Sequence, residues 1–466
     1  MPADNHGAFS PPGLYPDEAM NGNNAVEAWA NHDWKVFYPE NFGREGLFIN
    51  IQSFFVAEFG NTPGALRLPS ALFGILTVLG MYFLARALYR HESFALFASF
   101  LLAVSFWHVL FSRIGFRAIA APFFLVWGVY FLISATRNRR WLISALVGGV
   151  LFGLGFYTYI AYRITPLLLA AILYFLWRKT PAAGRRQLMR VCAVYLIAAF
   201  VVALPIGLYF LGHPADFFGR TTGISIFHSP TPLQDLALNT VKTVGMFNIA
   251  GDFNWRQNFA GRPELFLPVG LFFLWGLYLA IQNVKKQKTA ALGDATVLSW
   301  LVFATLPVVI SDEGIPHALR ALLMVPPVFL LAARGGMDAY ERLKRLVSPV
   351  WRYVIVACFC LVMIFEVSAV YFDAWAQNPA VKSAFDYQDY VTAQRINALP
   401  VDQMKYVIVP GTSGTIQRDY PISLQSILFL TDTFSRESRA AKHIEYLSPD
   451  DAKNLVPAPG SMTISL

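Results

Sequence analysis

Charged residues are scarce in this 466-residue sequence: Asp, Glu, Lys and Arg together make up only 14% of it, against about a quarter in soluble domains. Apolar residues make up 56%. This balance excludes an ordinary soluble protein. Because a bilayer-spanning helix needs about 20 mostly apolar residues, the composition predicts one large helical bundle in a lipid bilayer. The formal net charge is +8, but the basic residues cluster between apolar runs, which is a topology signal and does not indicate a nucleic-acid partner.

Several common chemical motifs are also missing. The three cysteines, Cys192, Cys358 and Cys360, lie within apolar runs, which excludes a disulfide framework and a zinc-ligand spacing. The sequence has no GxxxxGK[ST] loop, no HExxH, no CxxC and no DxD triplet. A cytoplasmic nucleotide-sugar donor is therefore unsupported. The first thirteen residues lack the basic region and apolar core of a secretory signal.

What the sequence does contain is a series of apolar stretches, about ten of which are expected to cross the bilayer. Three of them are weaker candidates, because one is short and two contain charged or titratable residues. The stretches are 68–85, 93–112, 118–136, 141–162, 164–177, 191–215, 265–284, 295–311, 315–333 and 353–372.

The alternating connections between these stretches differ strongly in basic residues. One set holds about eighteen Lys and Arg residues, whereas the short connections of the other set hold four. The positive-inside rule makes the first set cytoplasmic, so the functional face is expected to be extracytoplasmic. The four basic residues of these short outer connections are Arg113, Arg117, Arg163 and Arg320.

This orientation divides the chain into three parts. Residues 1–67 form an outer segment, residues 68–372 form the transmembrane bundle with a long outer connection at 212–264, and residues 373–466 form an outer tail. The tail has the polarity of a soluble domain and contains both helix-like and strand-like stretches, which predicts a small α/β appendage. An outer segment without a preceding signal is difficult to translocate, so we expect a further membrane helix upstream of this sequence.

Apolar residues recur at helical spacing within the first outer segment, which predicts either a helix lying in the membrane interface or an ordinary packed helix. These residues are Leu47, Phe48, Ile51, Phe54, Phe55 and Phe59.

An adjacent acidic pair, Asp17 and Glu18, follows Pro16 in the same segment. Such a pair can supply a general base and a second carboxylate that orients an acceptor or binds a divalent cation. The alternative is structural, because a proline followed by acids also opens a helix and interacts favourably with its dipole. No other cofactor is indicated.

A second polar group lies between two predicted spans and comprises Asp312, Glu313, His317 and Arg320. These residues either face the acidic pair across a cavity or form a solvated turn with Arg320 reaching the interface.

Cationic candidates complete the set. Arg113, Arg117 and Arg163 can bind an anionic phosphate at the outer surface or serve as interfacial anchors. Arg44 and Glu45 either join the site as acceptor-binding or second carboxylate groups or form a surface ion pair.

Several short motifs, in this order, resemble the GT-C fold glycosyltransferases of the protein O-mannosyltransferase and aminoarabinose transferase type, including relatives of the RgtA/B/C/D kind. The resemblance covers roughly residues 14–333. The matching segments are LYPDEA at 14–19, GLF at 46–48, ALRLPSALFG at 65–74 and FSRIG at 111–115.

The resemblance implies a GT-C-like bundle and an inverting transfer at the outer face of a bacterial cell envelope. Asp17 would take a proton from an acceptor hydroxyl, and the sugar would leave a polyprenyl-phosphate donor. Glu18 matches the neighbouring acid of the family, and arginines or a metal ion would balance the phosphate charge. The acceptor can be a protein, a lipid or a glycan. The main alternative is a lipid-linked-sugar flippase or transporter, which would show polar groups near mid-membrane and paired repeats.

Overall fold

A computed structural model describes residues 11–286, 291–409, 416–417 and 420–466. Residues 1–10 of the predicted outer segment lie outside the described residues. Helices dominate, joined by short 3₁₀ turns. They are α1 (Pro16–Asn31), α2 (Leu47–Phe59), α3 (Pro63–Tyr89), α4 (Glu92–Ala103), α5 (Phe106–Phe111), α6 (Ala120–Ala135), α7 (Trp141–Leu154), α8 (Thr165–Lys179), α9 (Ala182–Gly212), α10 (Pro214–Gly223), α11 (Pro232–Gly245), α12 (Leu267–Lys285), α13 (Ala291–Val309), α14 (Val325–Leu346), α15 (Pro349–Ser368), α16 (Pro379–Ala384), α17 (Tyr387–Asn397), α18 (Gln425–Leu430), α19 (Arg436–Ala441) and α20 (Pro449–Lys453).

The strands are short and lie near the two ends of the chain. They are β1 (Phe37–Tyr38), β2 (Arg44–Glu45), β3 (Lys405–Ile408), β4 (Ile416–Gln417), β5 (Tyr420–Pro421), β6 (Ile444–Leu447) and β7 (Met462–Ser465). β1 and β2 form a small antiparallel hairpin. β3 lies between β6 and β7 in a parallel sheet, so the predicted helical bundle with a small α/β tail is confirmed.

Eight helical stretches of the described residues are long and apolar enough to cross a membrane. These eight stretches contain α3, α6, α8, α9 and α12 to α15. At the centre lies α14, whose residues 325–333 are all buried, as expected for a helix that is apolar on every side. By contrast, α9 and α15 expose large apolar side chains such as Phe200 and Phe365, which suits contact with lipid.

Two of the predicted spans, 93–112 and 141–162, are not continuous helices. Stretch 93–112 is divided into α4 and α5, because the backbone at Ser105 is extended (φ −84°, ψ 128°). Serine is a favoured residue at such a helix start. Stretch 141–162 ends as an α-helix at Leu154, where glycines lower the helix propensity, and continues as 3₁₀ turns.

The tail supports the beginning of the chain. Helix α18 packs against both α1 and α17. Asn23 of α1 donates a hydrogen bond to the Gln425 side chain (2.8 Å), and Ser426 donates one to the carbonyl of Leu14 (2.8 Å). Because these contacts are buried, the tail fixes the position of α1, which begins at the acidic pair.

Candidate active site

A polar cavity of about 580 Å³ lies where the start of α1 meets three other segments. These segments are the turn at Arg117, the loop 252–257 and the loop 313–320. We call it the polar cavity. Its polar lining consists of Tyr15, Asp17, Asn21, Asn41, Arg44, Arg117, Tyr159, Asp252, Asn254, Arg256, Gln257, Glu313, His317 and Arg320. The structure therefore brings Asp17 and His317, which are far apart in sequence, to one cavity.

Asp17 lies in the first turn of α1, directly after Pro16. Its carboxylate borders the polar cavity, and the side-chain amide of Asn41 donates a hydrogen bond to Asp17 Oδ1 (2.8 Å). One carboxylate oxygen is thus held by the protein at the edge of an open space. This arrangement suits a group that must accept a proton from a bound molecule.

Glu18 is adjacent in sequence but lies in a different environment. Its side chain is fully buried and accepts hydrogen bonds from Arg67 Nε (2.9 Å) and Nη2 (2.9 Å) and from the backbone N–H of Gly115 (2.6 Å). Successive residues of a helix point about 100° apart, so Glu18 turns away from the polar cavity. It ties α1 to α3 and to the segment after α5.

The predicted divalent-cation site on the acidic pair is therefore not formed as expected. The two carboxylates point to different places, and the oxygens of Glu18 are occupied by Arg67 and Gly115. Within the described residues, no cluster of three or more His, Cys, Asp or Glu side chains has a metal-binding arrangement.

The arginines that were predicted to bind phosphate lie in two different places. Arg117 and Arg320 line the polar cavity. Arg163 lies beside them and forms an ion pair with Glu45 (3.5 Å), which also binds Arg117 (3.0 Å). Arg113 lies elsewhere, with its guanidinium 5.6 Å from the ring centre of Tyr371 and 5.4 Å from that of Phe372.

Arg44 and Glu45 are neighbours on β2, so their side chains point to opposite sides. Arg44 is buried and donates hydrogen bonds to Asn21 (2.8 Å) and Asn24 (2.5 Å) of α1. Burial lowers the pKa of its guanidinium to about 10. Glu45 faces Arg117 and Arg163 instead. The alternative of a surface ion pair between these two residues is wrong, because both are buried and each binds other partners.

Three of the four polar residues that were predicted to face the acidic pair from the loop 312–320 line the polar cavity. Asp312 is exposed and lies outside the lining. Glu313 reaches across to Arg320, with an ion-pair distance of 2.6 Å. His317 lines the cavity, and its Nδ1 lies 3.9 Å from Asp252 Oδ2.

Asp252 is a cavity residue that the sequence analysis missed. Its carboxylate accepts hydrogen bonds from the backbone N–H groups of Ala318 (2.8 Å) and Asn254 (2.7 Å), so it joins the loop 252–257 to the loop 313–320. Burial raises the pKa of Asp252 to about 6, although these hydrogen bonds oppose the shift. The only available signal was an acidic residue after Gly251 within the long connection 212–264, and sequence alone does not show where such a connection folds back.

Arg256 was missed for the same reason. Its guanidinium lies 4.1 Å from the ring centre of Tyr15, so the long connection contacts the segment just before the acidic pair. Burial raises the pKa of Tyr15, and Arg256 partly offsets this rise.

An apolar cavity of about 280 Å³ adjoins the polar one, and we call it the apolar cavity. It is lined mainly by aliphatic and aromatic side chains of α10, α13 and the 3₁₀ turn Ile160–Ile164. Arg163 lies at its wall, stacked over Phe217 at 4.4 Å. Tyr159 and Arg320 line both cavities, so a polar chamber and an apolar chamber meet at these two residues.

Residues 47–209 match the model of the dolichyl-phosphate-mannose-protein mannosyltransferase family. No curated protein gave a significant sequence match. The matched region runs from the start of α2 into α9 and contains Arg67, Arg117 and Arg163.

Solved structures match most of the chain. The oligosaccharyltransferase of Archaeoglobus fulgidus, tethered with an acceptor peptide, is 15% identical with a TM-score of 0.55, covering 90% of this chain and 59% of that one. AglB of the same organism, in complex with an inhibitory peptide and a dolichol-phosphate, is 13% identical with a TM-score of 0.54, covering 96% of this chain and 67% of that one.

A bacterial structure matches over a larger share of its own length. ArnT from Cupriavidus metallidurans, bound to undecaprenyl phosphate, is 14% identical with a TM-score of 0.55, covering 98% of this chain and 90% of that one. This chain thus spans 59% of the peptide-tethered oligosaccharyltransferase but 90% of ArnT. The chain therefore has the fold of these structures, the GT-C fold, and its residues 47–209 are similar to a mannosyltransferase family.

Proposed function

We propose that this protein transfers a sugar from a polyprenyl-phosphate donor to an acceptor hydroxyl on the extracytoplasmic side, with inversion at the anomeric carbon. The observation that carries the proposal is the junction of the two cavities. A polyprenyl-phosphate sugar has an apolar chain, an anionic phosphate and a polar sugar in that order. The apolar cavity, the arginines at the junction and the polar cavity present matching chemistry in the same order.

The phosphate is expected at the junction. Arg320 lines both cavities, and Arg163 and Arg117 approach from the two sides, both held by Glu45. Guanidinium groups bind phosphate through two parallel hydrogen bonds and remain charged when partly buried. With the phosphate there, the sugar would extend into the polar cavity toward Asp17.

The chemical step needs a base on the acceptor side and positive charge on the donor side. Asp17 accepts the proton of the acceptor hydroxyl as its oxygen forms a bond to the anomeric carbon. The bond from that carbon to the phosphate oxygen breaks, and its electron pair leaves with the phosphate. The arginines stabilise the charge that accumulates there. No general acid is needed, because a phosphate leaves as a stable anion.

Similar proteins support the proposed donor class. The matching family acts with dolichyl-phosphate mannose, AglB is complexed with a dolichol-phosphate, and ArnT is bound to undecaprenyl phosphate. The proposed acceptor is a protein, lipid or glycan of the cell envelope.

The proposal is tested with purified protein, labelled polyprenyl-phosphate sugars and a panel of acceptors. Asp17→Asn is expected to lower transfer by about 10²–10⁴-fold, the usual contribution of a general base. The matched control is Asp33→Asn, since the Asp33 side chain is 62% exposed and pairs with Lys35; it should leave transfer unchanged. Wild-type transfer by Asp17→Asn would refute the mechanism, and lipid movement without sugar transfer would favour the flippase.

The side of the membrane is tested separately by thiol labelling in a cysteine-free background. A cysteine replacing the exposed Asp312 is expected to react with an impermeant maleimide on intact cells. A cysteine replacing the exposed Arg139 should react only after permeabilisation. The reverse pattern would place the polar cavity on the cytoplasmic side.

A further inference from the structure

The turn that joins β1 to β2 has an unusual backbone. Asn41, Phe42 and Gly43 are consecutive and have positive φ angles of 52°, 61° and 85°. Glycine adopts this region freely and asparagine tolerates it, but phenylalanine does so only at a cost in free energy. Residues in this region persist where the surrounding structure holds them, and they concentrate at functional sites.

Burial of Phe42 does not explain the strained turn, because its side chain is 69% exposed. The base of the hairpin is fixed by the pairing of Tyr38 with Arg44, whose guanidinium is bound to Asn21 and Asn24 of α1. Residues 39–43 close this hairpin, and the last three of them have positive φ angles. The result is that Asn41 faces the start of α1.

Asn41 Nδ2 donates a hydrogen bond to Asp17 Oδ1 (2.8 Å), so the turn contacts the carboxylate that is proposed as the base. A neutral amide donor holds a carboxylate oxygen without bringing a competing charge next to the base. Because one oxygen is held, the plane of the carboxylate is fixed and the second oxygen is left for an incoming hydroxyl.

We propose that Asn41 is a positioning residue for Asp17, and that the strained turn serves to present its amide. The inference rests on the proposed function, since it assumes that Asp17 is the base. Asn41 acts on the orientation of the carboxylate and does not bind the donor. Loss of the amide should therefore slow the chemical step and leave donor affinity unchanged, because small misplacements of a reacting group reduce rate strongly.

The test compares Asn41→Gly with Phe42→Gly. Glycine suits a positive φ at both positions, so both variants keep the turn, but only Asn41→Gly removes the hydrogen bond. We expect Asn41→Gly to lower kcat about 10–100-fold with the KM for the donor unchanged. Asn41→Asp, which keeps the shape and removes the donor, should lose at least as much. Phe42→Gly should keep wild-type kcat and KM, and thermal unfolding in detergent should confirm that all three variants fold.

Two results would overturn the inference: wild-type kcat in Asn41→Gly, or an equal loss in Asn41→Gly and Phe42→Gly, which would assign the effect to the turn conformation. Asp17→Asn in the same assay separates this inference from the proposed function. If Asp17→Asn is inactive while Asn41→Gly is fully active, only the role of Asn41 fails. If Asp17→Asn is active, the proposed function fails.

Discussion

Two groups of polar side chains lie at opposite ends of the helical bundle, and they differ in what surrounds them. Helix α3 connects the two regions: Arg67, near its start, binds Glu18 beside the polar cavity, and Tyr89, its last residue, binds Asp294. The rise along the helix from Arg67 to Tyr89 is about 33 Å. We call the second group the Asp294 cluster, formed by Tyr89, Asn283, Asp294 and Arg334.

The Asp294 cluster is closed. Asp294 is fully buried and is bound by Tyr89 (3.0 Å), Asn283 (2.9 Å) and Arg334 (3.1 Å), which belong to different helices. In the polar cavity, by contrast, Asp17, Arg117 and Arg320 border about 580 Å³ of open space. Charged residues in a membrane protein are functional candidates by default. Open space beside the charged side chains is what distinguishes the polar cavity from the Asp294 cluster, and it is therefore the better indicator of a functional site.

The same contrast occurs between neighbours on α1, because Glu18 is enclosed by its partners and Asp17 faces the cavity. Glu18→Gln is expected to destabilise the protein by about 3–5 kcal/mol, since it leaves the buried Arg67 without its counter-charge. Thermal unfolding in detergent measures this loss. A Glu18→Gln protein that is as stable as wild type but inactive in transfer would instead support Glu18 as a second catalytic acid.

The Asp294 cluster should behave in the same way, with a smaller effect. Asp294→Asn keeps the shape but removes the charge opposite Arg334, so we expect a loss of about 1–3 kcal/mol in stability. The kcat of the folded fraction should not change, because the cluster is remote from the polar cavity. Normal stability combined with a reduced kcat would show that the closed cluster is coupled to transfer and would break the comparison.

Arg163 and Arg113 allow the same contrast to be tested with a single residue type. Arg163→Gln is expected to raise the KM for the donor about tenfold, equivalent to about 1.4 kcal/mol, because it removes a cation from the wall of the apolar cavity. Arg113→Gln is the matched control and should leave this KM unchanged, since Arg113 packs on Tyr371 and Phe372. A similar rise in both variants would indicate a general change in surface charge.

The smallest expected effect concerns Asp386 of the tail. Burial raises the pKa of Asp386 to about 6, above an ordinary value of 3.8, although Arg256 opposes the rise. The folded state therefore favours the protonated acid, and this contribution is complete below pH 3.8 and is lost as pH rises through about 6. Asp386→Asn should reduce the fall in melting temperature over this range by an amount equivalent to at most about 2 kcal/mol. An identical pH dependence in wild type and variant would contradict the shift.

Some of these features could be predicted from sequence. Hydropathy and charge placed most of the membrane helices and the tail, because bilayer thickness sets a length that can be counted. The length of the apolar stretch 93–112 could not predict the helix break at Ser105, because an apolar sequence does not show where the backbone changes direction. The acidic motif identified Asp17 and Glu18 together. Their separation into a cavity residue and a buried anchor depends on where Arg67 packs, which only the folded chain determines.

The cavity residues Asp252 and Arg256 could not be predicted from the sequence for a related reason. They belong to a long connection, and nothing local shows that it returns to Ala318 and Tyr15. Asn41 had a recognisable turn signal in Asn-Phe-Gly, but its contact with Asp17 joins residues that no sequence periodicity relates.

We propose that the two adjoining cavities hold one donor molecule, with its phosphate near Arg320 and its sugar end toward Asp17. A cryo-electron microscopy structure of the protein with a bound polyprenyl phosphate tests it most directly. We expect the isoprenyl chain in the apolar cavity, against Phe217 and Ile310, and the phosphate between Arg163 and Arg320. A lipid bound elsewhere, with both cavities unfilled, would contradict it.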